Sequence, residues 1–193
     1  MHKSVLILMI VLCGLMLNAD DVIDSINEGL DYYKSGDYSS AIESLSYANQ
    51  LIKQIKGGQL ENCFPEPLSG WEASAATSTA AGEAMFGGGV TAERSYTKED
   101  ANVQIQFITD SPLMQTVMMM FSNPMFATSD GGKMEKIAGQ KAIVKYDENS
   151  KSGEIQIAFN NKYLITVNGN YVDRDILVKY TAAIDFNKMS GLQ

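Results

Sequence analysis

The chain has 193 residues, 45% of them apolar, which is enough to bury a core of its own. Its 23 acidic side chains against 15 basic ones give a net charge of −8. Phosphate backbones and anionic lipid heads repel such a chain, which argues against nucleic-acid and membrane-surface partners.

His2 and Lys3 precede an apolar run from Val5 to Leu17, and Leu17-Asn18-Ala19 then offers a small residue at a cleavage position. This is the layout of a secretory signal over residues 1–19, cut after Ala19, and it implies a periplasmic location. The run is shorter than the roughly 20 residues of a comfortable membrane span. A lipoprotein reading would use Cys13, but Leu12 is bulky where such signals want a small residue; an uncleaved anchor is the other alternative. Cleavage would remove His2, Lys3, Cys13 and three of the eleven methionines, leaving 14 basic against 23 acidic residues and a net charge of −9. The mature chain then has no histidine, and Cys63 is its only thiol. Histidine-based triads and Cys/His zinc sites are excluded by that count. An odd thiol is either buried or paired with another chain, and Phe64 beside it favours burial.

Residues 20–58 read as a helical hairpin. Val22, Ile23, Ile26, Leu30 and Tyr33 recur at helical spacing after the acidic start Asp20, Asp21 and Asp24. Gly36 breaks the pattern. A second helix begins near Ser39 or Ser40 as cap, carries Ala41, Leu45, Ala48, Ile52 and Ile55, and is expected to stop at Gly57-Gly58. Gly29, Tyr32, Gly36, Asp37, Tyr38, Ala41, Leu45 and Ala48 fall at the spacing of one tetratricopeptide repeat, which the hairpin resembles over about 34 residues. Glu28 and Lys53 depart from that repeat's leucine and proline. No second copy follows, and a lone repeat builds no concave peptide groove. The hairpin therefore either docks on its own domain or a second copy, or holds a partner. For the partner role the contact residues are Tyr32, Tyr33, Tyr38 and Tyr47.

Residues 59–70 carry Pro65 and Pro67 and read as an extended linker. Residues 71–193 alternate as strands with two helices. A small-residue strand spans 71–79, a glycine-rich turn 81–90, and alternating strands include 91–97 and Val103, Ile105 and Phe107. A helix follows Ser111-Pro112, and a loop covers 129–133. Strands 134–138 and 141–146 pair about Gly139-Gln140, and two more pair about Asn160-Asn161. From Asp173 a helix carries Leu177, Tyr180 and Ile184 on one face. Short turns between strands mean antiparallel pairing, so the expected class is α+β. The order from Phe64 onward resembles the PsbP-like fold of exported bacterial proteins, and the runs 83–89, 109–115, 118–126 and 138–146 are similar to those of a family of uncharacterised exported proteobacterial proteins. That resemblance implies a fold and no activity.

Residues 111–126 hold five methionines. Ser111 and Pro112 start a helix that Asn123-Pro124 stops. Met114, Val117, Met118 and Phe121 then share one face, Leu113 and Met120 flank it, and Met119 points away. Three readings follow: packing against a sheet, an exposed partner surface led by Met119 and Met125, or a thioether copper(I) site. Packing is the first, since a thioether site wants converging sulfurs and no histidine is left to help. Gly87-Gly88-Gly89 lacks the residues of a phosphate loop, and 147–154 misses calcium-loop spacing.

The resulting expectation is a non-enzymatic exported protein, without cofactor or metal, acting as a binding or assembly module on an envelope protein or on itself. The alternative is a carrier of a small ligand or copper(I) beneath the methionine-rich helix. An enzyme is the third reading, and no grouping of acid, base and nucleophile supports it.

Overall fold

A computed structural model describes residues 19–81, 89–123 and 131–192. Residues 1–18 of the expected signal segment, the centre of the glycine-rich turn, Met125 and residues 129 and 130 of the expected loop lie outside the described residues. The chain divides into two compact units, residues 1–52 and 53–193. The architecture is α+β: a helical hairpin, then an antiparallel eight-stranded sheet with further helices.

In the first unit, helix α1 (Ala19–Ser35) ends where Gly36 adopts φ +84°, a conformation that costs glycine nothing. The Gly36 N–H donates to the Tyr33 carbonyl and the Asp37 N–H to that of Tyr32, which closes the helix end. Helix α2 (Tyr38–Glu61) follows at once. Its cap is Asp37, not Ser39 or Ser40: the Asp37 carboxylate accepts from the Ser40 N–H at 3.1 Å and the Ser40 hydroxyl at 2.8 Å. The helix also does not stop at Gly57-Gly58. It runs on to Glu61, because Gly57 and Gly58 keep a right-handed conformation and Gly57 is needed for a close contact with Ser78.

The second unit begins with the last residues of α2. Its strands are β1 (Glu72–Ala73), β2 (Thr77–Ala81), β3 (Gly89–Lys98), β4 (Ala101–Thr109), β5 (Lys133–Ile137), β6 (Gln140–Asp147), β7 (Ser152–Phe159) and β8 (Tyr163–Asn170). Their order across the sheet is β1-β3-β4-β8-β7-β6-β5, with β2 also paired to β3. The single strand expected at 71–79 is thus two short ones on the same edge. The β5–β6 turn is Ala138-Gly139, both at positive φ, so Gln140 already lies in the strand. Asn160 and Asn161 take the same left-handed conformation between β7 and β8.

One face of this sheet supplies the core. Val90, Ala92 and Tyr96 of β3, Val103, Ile105 and Phe107 of β4, Ile165 and Val167 of β8, and Ile155 and Ile157 of β7 are buried on it. Leu177 and Tyr180 of α4 (Arg174–Ala182), Met189 of α5 (Phe186–Ser190) and Leu60 of α2 join them. The segment expected to be a linker belongs to this core as well. Cys63, Phe64 and Pro65 are buried, and Phe64 stacks on Phe107 at 4.2 Å. The Pro65 carbonyl accepts from the Tyr96 hydroxyl at 2.8 Å, and the Tyr180 hydroxyl accepts from the Leu68 N–H at 3.3 Å. Proline-rich backbone is buried here because aromatic hydroxyls satisfy its polar groups.

Helix α3 (Leu113–Ser122) packs on β7 and β8. Its cap is Pro112, already helical at φ −57°, while the Ser111 carbonyl accepts from the Met114 N–H. Asn123 is extended, as a residue before proline must be. Met114, Val117, Met118, Met120 and Phe121 are only half-buried and contribute nothing to the core just described. They lie against the sheet's other face, where Ile143 and Thr166 are buried. The methionine helix is therefore a partial cover on the second face, not part of the central core.

Candidate functional site

The packing of the hairpin decides what its surface offers. Ser25 and Gly29 of α1 and Ala41, Ser44, Ala48 and Leu51 of α2 are its buried positions. At Gly29 a Cβ would stand 2.8 Å from Leu45 Cγ, so glycine is what lets the helices close up. The Ser44 hydroxyl donates to Glu28 across the seam at 3.1 Å. With small residues and Leu51 holding the seam, the other large apolar side chains stand beside it and keep much of their surface exposed.

On α1 these are Ile23, Ile26, Leu30 and Tyr33, and on α2 Tyr38, Ile42, Leu45 and Ile52. All eight are exposed, Ile42 by 67% and Tyr33 and Tyr38 by 63% each. Each set recurs at three, four or seven residues, so each forms one stripe along its helix. The Tyr33 and Tyr38 rings meet at 5.8 Å where the stripes converge on the turn. Together the stripes expose on the order of several hundred Å² of apolar surface, the scale at which a patch marks an interaction site.

The opposite side of the hairpin is polar. A cavity of about 550 Å³ there is lined by Glu28, Tyr32, Ser40, Glu43, Ser44, Ser46, Tyr47 and Gln50. The four tyrosines singled out in the sequence therefore divide: Tyr33 and Tyr38 border the apolar stripes, while Tyr32 and Tyr47 line the polar cavity. Met119 is 66% exposed on α3 in the second unit, and Met125 lies outside the described residues. The sequence marks Ile23, Ile26, Leu30, Leu45 and Ile52 as apolar helical positions, but not as an exposed surface. The signal for it was the row of Ser25, Gly29, Ala41, Ser44 and Ala48, which supplies a seam without using the larger residues.

Electrostatics add a sign to this unit. From Asp20 to Ile52 it carries Asp20, Asp21, Asp24, Glu28, Asp31, Asp37 and Glu43 against Lys34 alone, a net charge of −6. Lys34 is within 3.5 Å of Asp31 on the exposed surface. The Ser40 N–H and hydroxyl hold the Asp37 carboxyl below its ordinary range.

The second unit has cavities of a different kind. One of about 710 Å³ lies over the strand ends and includes Gln104, Lys145, Glu154, Asn168 and Asn170. Another of about 500 Å³ includes Lys151, Asn170 and the exposed Tyr171. Neither they nor the hairpin cavity is lined by an α3 residue. Cys63 is buried, and burial with the nearby Asp185 pushes its thiol up to about 11, which keeps it protonated and unreactive at neutral pH. Tyr96, Tyr163 and Tyr180 are raised by burial and serve the core. Among the described residues no group of three or more His, Cys, Asp or Glu side chains is placed to hold a metal ion.

Comparison with known proteins finds no family model, no curated protein and no solved structure that matches this chain.

Proposed function

We propose that this is a non-enzymatic binding or assembly module, exported to the periplasm, that captures a protein partner through the apolar stripes of its N-terminal hairpin. The observation that carries the reading is the exposure of eight large apolar side chains on a unit whose own seam is made of small residues and Leu51. Leaving such a surface in water is unfavourable by about 25 cal/mol per Å², and covering it is the simplest role for it. Export rests on the signal-like residues 1–19. The resemblance of the second unit to the PsbP-like fold is compatible with this role and adds no activity to it.

The test is in-cell photo-crosslinking of the full chain with the crosslinker at Ile42 or, separately, at Tyr47. A defined envelope protein trapped from Ile42, absent from Tyr47 and lost with Leu30→Asp, is the expected result. Trapping that is equal from both positions, or that survives Leu30→Asp, would overturn the assignment of the stripe.

A further inference from the structure

We infer that the occupant of the hairpin stripe is an amphipathic α-helix with basic residues flanking its apolar face; this rests on the reading of the stripe as an interface. Two features of the hairpin select the occupant. The first is the nature of the surface. The stripe belongs to two helices whose backbone N–H and C=O groups are spent within the helices, so it offers no row of backbone partners. An extended peptide laid on it would bury its own polar backbone unpaired, whereas a helix satisfies that backbone internally. The exposed side chains are aliphatic along the length and aromatic only at the turn, the surface on which a helix docks by its i, i+3, i+4 and i+7 positions.

The second feature is charge. Residues 20–52 carry seven carboxylates against Lys34 alone, although Glu28 and Glu43 line the polar cavity on the opposite side. On α1, helical spacing places Asp24 and Asp31 together along the outer side of the Ile23, Ile26 and Leu30 stripe. A second copy of this chain would bring −6 against −6, and an anionic lipid surface would be repelled in the same way. Lysine or arginine beside the partner's apolar face removes that repulsion and gains steering toward the hairpin.

The experiment uses the full mature chain, residues 20–193, and two labelled model helices that share one leucine face. One is flanked by lysine and the other by glutamate, and binding is read as fluorescence anisotropy at low and high salt. The lysine-flanked helix is expected to bind at least about tenfold more tightly at low salt, with the advantage shrinking as screening shortens the Debye length. Ile42→Asp, at a position where the side chain is already exposed, should abolish binding while the circular dichroism spectrum is unchanged. Equal affinity for the two helices would overturn the basic-helix inference. So would failure of both to bind. If neither binds but the chain dimerises in sedimentation and Ile42→Asp breaks the dimer, the stripe remains an interface and its occupant is a second copy. If Ile42→Asp changes neither peptide binding, self-association nor in-cell crosslinking, the interface reading falls with it.

Discussion

Two adjacent glycines in α2 show how narrowly single residues are determined. A Cβ at Gly57 would meet the Ser78 hydroxyl at 2.6 Å and the Ser78 Cβ at 2.8 Å, whereas at Gly58 nothing lies within 4 Å. Gly58→Ala should therefore stabilise the protein by about 0.5–1 kcal/mol, by lowering the entropy of the unfolded chain and improving helix propensity. Gly57→Ala should instead destabilise it, by about 1–3 kcal/mol, as overpacking does. Urea melts of the two variants against wild type check both signs. Cys63 yields a second prediction at this scale. With its thiol pushed up to about 11 and buried, it should resist alkylation at neutral pH in the native protein and react fully in denaturant. Fast native alkylation would mean that the 62–65 segment opens readily. The burial of Cys63 was foreshadowed by Phe64 beside it, but the burial of Pro65 was not. Its carbonyl is satisfied by Tyr96, 31 residues away in the chain, and no local pattern announces a partner so distant.

Among the elements, the strands were the most legible. Alternation at Val103, Ile105 and Phe107 marked one buried face, and short turns implied antiparallel neighbours, as found. Helix ends were less legible because capping is a choice between competing side chains. Asp37 wins over Ser39 and Ser40 because its carboxylate takes both the Ser40 N–H and hydroxyl. That advantage is pH-dependent. The folded carboxyl titrates below the ordinary value of 3.8, so its stabilising contribution is present above that value and lost as pH falls through the folded one. Asp37→Ala should lower the thermal stability of the hairpin at pH 7, and the difference from wild type should shrink at about pH 2. A gap that stays constant between the two pH values would show that Asp37 does not act as a charged cap. The methionine helix was legible in position and orientation, with Met119 outward. That it covers only part of the sheet's second face was not, since methionine spacing fixes a face and not how deeply it is buried.

At the scale of the whole molecule, the sheet unit has a buried core of its own, while the hairpin unit holds together mainly through small residues and Leu51 and exposes its other large aliphatic ones. An amphipathic pattern says that one side of a helix is apolar. It does not say whether anything covers that side, which is why the stripe was legible as a pattern and not as a surface. If the hairpin exists to present that surface, Ile23→Ser together with Ile42→Ser should leave folding stability within about 0.5 kcal/mol of wild type, as surface substitutions do. A loss of several kcal/mol would mean that the stripe is internal packing. The most direct measurement is hydroxyl-radical footprinting of the stripe in the purified mature protein and in intact cells. Docking predicts that Ile23, Leu30 and Ile42 are oxidised in the purified protein and protected in cells, while Met119 serves as the exposed reference. Equal oxidation of the stripe in both settings, relative to Met119, would contradict a docked partner and with it the proposed function.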